Sequence, residues 1–182
     1  MSRVRIVGGQ WRSRLLTVPE VPKISGLRPS PDRVRETLFN WLGQDLDGQH
    51  CVDLFAGSGI LGFEAASRGA ERVVLVERSR PLCAHLRDAV HSLGATQVEI
   101  VCGDALEFAR NTTASFDGAF IDPPYHQGLI AALAPLLDRL VRTDGWLYVE
   151  AESAIDALGA WQTEKRGRAG AVHYHLLRRS QS

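Results

Sequence analysis

Val52-Asp53-Leu54-Phe55-Ala56-Gly57-Ser58-Gly59-Ile60-Leu61-Gly62 runs out of an apolar strand pattern and into the start of a helical one. Gly57, Gly59 and Gly62 have the spacing G-x-G-x-x-G of a nucleotide-binding turn, in the strand–turn–helix setting such a turn requires. Glycine lets the backbone turn sharply and lets a ligand approach the main chain. Glu77 stands 20 residues beyond Gly57, at the end of the next predicted strand, where a carboxylate accepts ribose hydroxyl protons. The turn alone suits either NAD or S-adenosylmethionine. Two features favour the second. Asp53, inside the strand just before the glycines, suits an ammonium group and repels a pyrophosphate. A second acid, Asp104 after Gly103, is placed to accept an adenine amine.

Outward from this stretch, the chain from His50 onward alternates strand and helix. Strands are predicted at 51–55, 72–77, 98–102, 116–121 and 146–150. Helices are predicted at 60–68, 81–93, 106–110 and 129–141. Runs such as Val73-Val74-Leu75-Val76 suit strands covered on both faces, so the class is α/β with a parallel sheet. The tail departs from this rhythm. Segments 161–166 and 172–177 are separated only by Gly167 to Gly170, too short for a helical crossover, which predicts an antiparallel hairpin.

Upstream, residues 4–7 and 11–18 read as strands joined at Gly8-Gly9, a pair that supplies the positive φ angles of a tight turn. Residues 19–29 form a Pro/Gly-bearing linker. Ser30-Pro31-Asp32 reads as a helix start with Ser30 as N-cap, and Gly43 as the stop. Net charge is zero, yet residues 1–35 hold eight basic side chains against two acidic ones, leaving 13 basic and 19 acidic in the remainder. A basic arm on an acidic body is the asymmetry of a chain that meets a polyanion on one face. Trp11 in this arm fits RNA stacking and hairpin packing equally.

An apolar content of 45% over 182 residues is that of a globular domain able to bury a core. No apolar run is long enough to span a bilayer, and the amino terminus lacks a signal-peptide core, so the expected location is the cytoplasm, away from membranes. Cys51, Cys83 and Cys102 show no metal-ligand spacing and are expected as buried thiols, and no metal is expected. His173 and His175 lack a third ligand and are expected at the surface.

Asp122-Pro123-Pro124-Tyr125 closes the strand 116–121, at the carboxyl edge of an open α/β sheet, where ligands bind. An exocyclic base amine is a poor nucleophile because its lone pair is delocalised into the ring. Asp122 and a main-chain carbonyl of the turn each accept one N–H, drawing the nitrogen toward tetrahedral geometry and freeing the lone pair. The prolines stiffen the turn, and Tyr125 offers a face for an unstacked base. His126 follows the turn, but this chemistry calls for no dedicated base.

With these motifs in place, the stretch 50–150 resembles the Rossmann-like class I methyltransferases. DPPY resembles the [DN]PP[YF] motif of enzymes that methylate planar amines. Arg5-Ile6-Val7-Gly8-Gly9-Gln10-Trp11-Arg12-Ser13-Arg14-Leu15 and Leu27-Arg28-Pro29-Ser30-Pro31-Asp32-Arg33-Val34-Arg35-Glu36-Thr37-Leu38-Phe39-Asn40-Trp41-Leu42 are similar to the RsmD family, bacterial enzymes that methylate N2 of guanine 966 in 16S rRNA. Ser13 stands where that family more often has glycine. The resemblance implies a seven-stranded, mostly parallel sheet with an antiparallel last strand, preceded by an N-terminal β-hairpin. It divides the chain into a basic RNA-contacting extension, 1–29, and a methyltransferase domain, 30–182. It implies Asp53, Phe55, Gly57, Gly59, Glu77, Arg78, Asp104 and Ala105 as S-adenosylmethionine contacts and Asp122, Pro123, Pro124 and Tyr125 as the catalytic turn. RNA contacts fall to Arg5, Arg12 and Arg14. The implied partner is 16S rRNA in an assembling small subunit, met by a monomer. Three alternatives stay open: an adenine-N6 methyltransferase on DNA or RNA, a non-catalytic RNA-binding assembly factor, and an NAD-dependent oxidoreductase.

Overall fold

The structure, a computed structural model, describes residues 2–19 and 30–180. The expected linker therefore lies, apart from Pro19, outside the described residues, together with Lys23 and Arg28. Eight strands form one sheet in the order β5-β4-β3-β6-β7-β10-β9-β8. Its parallel part comprises β3 (His50–Asp53), β4 (Arg72–Glu77), β5 (Val98–Cys102), β6 (Phe116–Ile121) and β7 (Val141–Ala151). β10 (Val172–Arg179) pairs antiparallel with both β7 and β9 (Trp161–Ala169). The expected seven strands are all present. The eighth, β8 (Ala157–Leu158), is a two-residue pairing on the outer edge of β9.

Helices cover both faces, as parallel strands require. One face packs against α1 (Asp32–Trp41), α2 (Ile60–Ser67) and α3 (Arg80–Leu93). The other packs against α4 (Ala105–Asn111), α5 (Leu129–Leu133) and α6 (Leu137–Leu140). The single helix expected over 129–141 is broken by a 3-10 turn, Ala134–Leu136, at Pro135, which has no N–H to continue the ladder. β7 also begins five residues earlier than the apolar pattern showed, because Val141 already pairs with Phe116. The tail hairpin turns at Gly170-Ala171, and Gly167 stays in strand opposite Tyr174. A Cβ on Gly167 would sit 2.3 Å from the Tyr174 ring, so glycine there makes room for the aromatic.

The N-terminal hairpin, β1 (Ser2–Arg5) against β2 (Leu15–Val18), differs from expectation at its turn. Gly8-Gly9 does not form a two-residue connection. The excursion closes at Ile6 and Arg14, where Ile6 N donates to Arg14 O (2.9 Å) and Ser13 N to Ile6 O (2.8 Å). Ser13 takes φ +69°, a left-handed conformation in which glycine is the unstrained residue. The glycines instead allow contact with the end of α2: a Cβ on Gly9 would lie 1.9 Å from Ser67 O. Gln10 N donates to Ser67 O (2.8 Å) and Trp11 N to Ser67 Oγ (2.9 Å). Val4, Ile6, Trp11, Leu16 and Val18 share one core with α1 and α2, so Trp11 is a packing residue.

Three further expectations are corrected. Ser30 makes no capping bond, and Pro31 takes the N-cap position, its carbonyl accepting from Val34 N (3.0 Å). His175 is fully buried on β10 rather than at the surface, with Nδ1 against Val149 O (3.1 Å) and Nε2 accepting from Ile155 N (3.0 Å). Burial holds its pKa below the usual histidine range, so it is a neutral structural ring. Cys51 and Cys83 are buried as expected, whereas Cys102 is exposed.

Candidate active site at the carboxyl edge of the sheet

The strand order places the ends of β3 and β6 side by side, and with them the glycine turn and the Asp122–Tyr125 turn. β3 stops at Asp53, and the next residues are pinned to both neighbouring strands: Leu54 N donates to Phe120 O (3.1 Å) and Ala56 N to Val76 O (2.9 Å). The chain then turns through Gly57 (φ +55°) and Gly59 (φ +79°), and Gly59 caps α2. A Cβ at Gly59 would lie 2.6 Å from Leu86 and 2.7 Å from Phe63, so no other residue fits there without displacement. Gly62 lets α2 sit on β4, its missing Cβ lying 2.1 Å from Leu75. All three glycines of the motif thus have a local physical reason.

Glu77 is fixed by main-chain donors. Its Oε2 accepts from Gly57 N (2.9 Å) and its Oε1 from Ser79 N (2.8 Å), which ties the end of β4 to the glycine turn. Arg78 beside it is exposed. Asp104 caps α4 through Oδ1, which accepts from Glu107 N (3.0 Å), and Ala105 begins that helix in a buried position. Phe55 is half-buried at the mouth of the turn. Along the edge these residues form a continuous rim from β5 through β4 and β3 to β6.

Asp53 is 1% exposed, and Phe55 N donates to its Oδ1 (3.3 Å). Burial pushes its carboxyl up to about 7, with the charges of Glu77 and Glu150 adding to the shift. Asp122 is raised well above the carboxylate range, first by burial, then by the charges of Glu150 and Asp53. Pro123 is buried, Pro124 exposed, and Tyr125 38% exposed, one of two large apolar side chains left open to solvent among the described residues. His126 adopts φ +61°, and both its main-chain N–H (2.7 Å) and its Nδ1 (2.9 Å) meet Glu152, which makes it an anchor for the turn.

Glu150, at the end of β7, was not singled out by sequence. It is 5% exposed and accepts from Ser30 Oγ (2.5 Å) and the Tyr148 hydroxyl (2.8 Å). Its position becomes evident only from strand register, since Ile121 pairs with Val149 and the next residues are Asp122 and Glu150. The edge therefore gathers Asp53, Asp122 and Glu150 without an ion pair to any of them among the described residues. Such an edge fits a ligand that brings positive charge and N–H donors. A sulfonium with an ammonium group meets the first demand, whereas a dinucleotide pyrophosphate would face repulsion.

The RNA-contact expectations separate in space. Arg5 is exposed at the level of the first turn of α1, where its carbonyl accepts from Arg35 Nη1 (2.7 Å). Arg12 and Arg14 are exposed near the far ends of α2 and α3, where Arg14 Nη2 reaches Ser92 O (3.3 Å). Both helices start at the carboxyl edge, so these two cations lie toward the opposite edge from Asp122. Arg35, counted with the basic arm, is fully buried and paired with Glu64 and Asp32.

The family described as conserved hypothetical protein 95 matches residues 4–178. The chain is 39% identical to ribosomal RNA small subunit methyltransferase D of Escherichia coli K12, covering 97% of this chain and 90% of that one. It is 36% identical to the protein of the same name from Haemophilus influenzae, over 95% and 92% of the two chains. Among solved structures, Escherichia coli yhhF superposes with TM-score 0.88 at 38% identity, covering all of both chains. An RNA methyltransferase from Salinibacter ruber, solved with S-adenosyl-L-homocysteine, shares the fold at TM-score 0.66 and 18% identity, over 85% and 96% of the chains. With the family match and these near full-length relatives, the chain belongs to the ribosomal RNA small subunit methyltransferase D family, RsmD.

Proposed function

We propose that this chain transfers a methyl group from S-adenosylmethionine to the exocyclic N2 of a guanine in 16S rRNA, guanine 966 in the numbering used for the family. The observation that carries the reading is the adjacency of the glycine turn and the Asp122–Tyr125 turn at the carboxyl ends of β3 and β6, beside acids that have no ion-pair partner among the described residues. The cofactor supplies an electrophilic methyl on a sulfonium. Asp53 faces its ammonium group, Glu77 its ribose hydroxyls, Asp104 and Ala105 its adenine edge, with Phe55, Gly57, Gly59 and Arg78 completing the contacts. Asp122 and a carbonyl of the Pro123-Pro124 turn accept the two N–H groups of the amine, and Tyr125 stacks on the base. Because Asp122 is held in a turn of two prolines, its acceptor geometry is set before the base arrives.

Arg5, Arg12 and Arg14 contact rRNA phosphates as a monomer meets the assembling small subunit. No helix among the described residues is long and apolar enough to cross a membrane, in keeping with a cytoplasmic enzyme of RNA. The deciding experiment is mass spectrometry of 16S rRNA nucleosides from cells with and without this chain. N2-methylguanosine should vanish on deletion and return on complementation. Loss of N6-methyladenosine instead would establish the adenine alternative, and no change in either would leave an assembly factor.

A further inference from the structure

Asp122 and Glu150 hold equivalent places on neighbouring parallel strands. Ile121 is in register with Val149, so the two acids stand side by side, on strands spaced about 4.8 Å apart. In parallel register they leave the sheet on one face, the face that carries Phe120 and Tyr148. Glu150 is almost fully buried, and its two oxygens differ. Oε1 accepts from Ser30 and from Tyr148. Oε2 has no hydrogen-bond donor among the described residues, yet it is not sealed away, since no side-chain oxygen among them is both buried and unpartnered. An acceptor in this position, inside the site and beside Asp122, is built for a donor that arrives with the substrate.

The Watson–Crick edge of guanine carries such a donor. Its N2 amine is flanked by N1–H, so two N–H groups point the same way. Adenine's amine is flanked by an unprotonated N1, an acceptor. Resting on the guanine-N2 reading above, we infer that Glu150 selects the base: its Oε2 accepts guanine N1–H while Asp122 accepts an N2–H. Ser30 and Tyr148, both donating to Oε1, oppose the upward push of burial on this carboxyl and leave Oε2 free to meet the base. Presented with adenine, Oε2 would face the lone pair of N1, two acceptors with no proton between them. A buried group left unpaired by the wrong substrate is the strongest basis for discrimination available to such a site.

The test uses 16S rRNA, free or assembled into small subunits, with guanine, 2-aminopurine or adenine at the methylated position. 2-Aminopurine keeps the exocyclic amine in place and lacks N1–H together with the O6 carbonyl, so the Glu150→Gln comparison isolates the N1 contact. The wild-type protein should prefer guanine over 2-aminopurine by at least about 10²-fold in kcat/KM. In Glu150→Gln the amide can donate to N1 of 2-aminopurine, so the ratio should fall toward one, with cofactor affinity retained. Equal wild-type rates on guanine and 2-aminopurine overturn the assignment and need no variant. An unchanged ratio in Glu150→Gln overturns it as well. Methylation of the adenine substrate but not the guanine one overturns the underlying guanine reading, and this inference with it.

Discussion

Glu64 on α2 and Glu150 on β7 are both buried carboxylates on the same face of the sheet, Glu150 beside the half-buried Asp122, yet their surroundings are opposite. Glu64 accepts from Val7 N (3.0 Å), Gly8 N (2.7 Å), Arg35 Nη1 (2.9 Å) and Arg68 Nε (3.2 Å). Arg35 in turn donates to Ser30 O (3.1 Å) and Arg5 O (2.7 Å), and Arg68 lies over the Phe39 ring at 4.5 Å. Charge and hydrogen bonds are complete there, and the result is a clamp that holds the hairpin and α1 against α2. At the carboxyl edge no cation among the described residues answers Asp53, Asp122 or Glu150, and burial pushes all three toward the neutral form. A buried acid with its full set of partners is architecture. One without them is held ready for a ligand, at a cost in stability of the free protein.

Breaking the complete side should have the largest effect. Glu64→Ala leaves Arg68 buried without its counter-charge, leaves Arg35 with only the more exposed Asp32, and frees two main-chain N–H groups. Removing one partner of such a network costs about 3–5 kcal/mol, on the order of 10 °C in melting temperature for a chain of this size. Thermal denaturation of the purified variant checks it. A shift of only a degree or two would mean that the clamp contributes little to holding the hairpin and α1 against α2.

Breaking the incomplete side should spare stability and remove chemistry. Asp122→Ala is expected to lower turnover by about 10²–10³, to bind S-adenosylmethionine as the wild type does, and to melt no lower, because a raised carboxyl has been removed. Single-turnover methylation and calorimetric titration read the two halves separately. Near-normal turnover would take Asp122 out of the chemistry.

Legibility in the sequence follows the same division. Glycine and proline announce local backbone needs, so the glycine turn and Asp122-Pro123-Pro124-Tyr125 could be placed before any fold was known, and most strands fall within a residue or two of their apolar patterns. Partners distant in sequence could not be placed. Ser30 has the local signature of an N-cap, whose oxygen accepts from the helix, but its hydroxyl instead donates to Glu150, 120 positions away. Arg35 counts as one more cation of a basic arm until its burial against Glu64 is seen. Glu150 carries no motif, and its meaning comes from the register of β6 and β7. His175 reads as a surface residue for want of metal-ligand partners in the sequence, whereas β10 lies between β7 and β9 and buries it.

The unpaired state of Asp53 gives the comparison a pH dependence. Its carboxyl titrates near 3.8 when unfolded and at about 7 when folded, so between those values the free folded protein holds the extra proton. Its contribution therefore favours the folded state at the acid end of that window and is lost as pH rises through it. The cofactor's ammonium group prefers the ionised carboxylate and reverses the trend. Affinity for S-adenosylmethionine should strengthen from pH 5.5 toward 7.5, approaching tenfold per unit on the acid side, and Asp53→Asn should flatten the profile. Titration calorimetry across that range checks it, and a flat wild-type profile would remove Asp53 from the cofactor's charged end.

The smallest effects belong to the surface cations, and they show whether the clamp serves the edge. Arg5 sits on the exposed face of β1 with Arg3, opposite Leu15 and Thr17 on β2, at the level of the first turn of α1. Arg12 lines a cavity of about 530 Å³ with Gly8, Gly9, Asn40, Gln44 and Arg68 near the opposite edge of the sheet, and Arg14 extends from the same end. If RNA enters the active site past the hairpin, both pairs touch phosphates, and each lost contact flattens the slope of log affinity against log salt by about 0.7 for single strands. Arg3→Ala with Arg5→Ala should therefore flatten it by about 1.4 and raise KM, because those cations stand nearer the carboxyl edge. Arg12→Ala with Arg14→Ala should flatten it by a similar amount with a smaller rise in KM, because phosphates bound at that end lie farther from the base being methylated. Cofactor affinity should not move in either variant, and the fold should hold, since all four side chains are exposed. An unchanged slope in the second pair alone would confine the RNA to the carboxyl edge and leave the far end of the hairpin a purely structural contact with α2. An unchanged slope in both would mean that the clamp holds the hairpin for packing and that the RNA approaches from another side of the sheet.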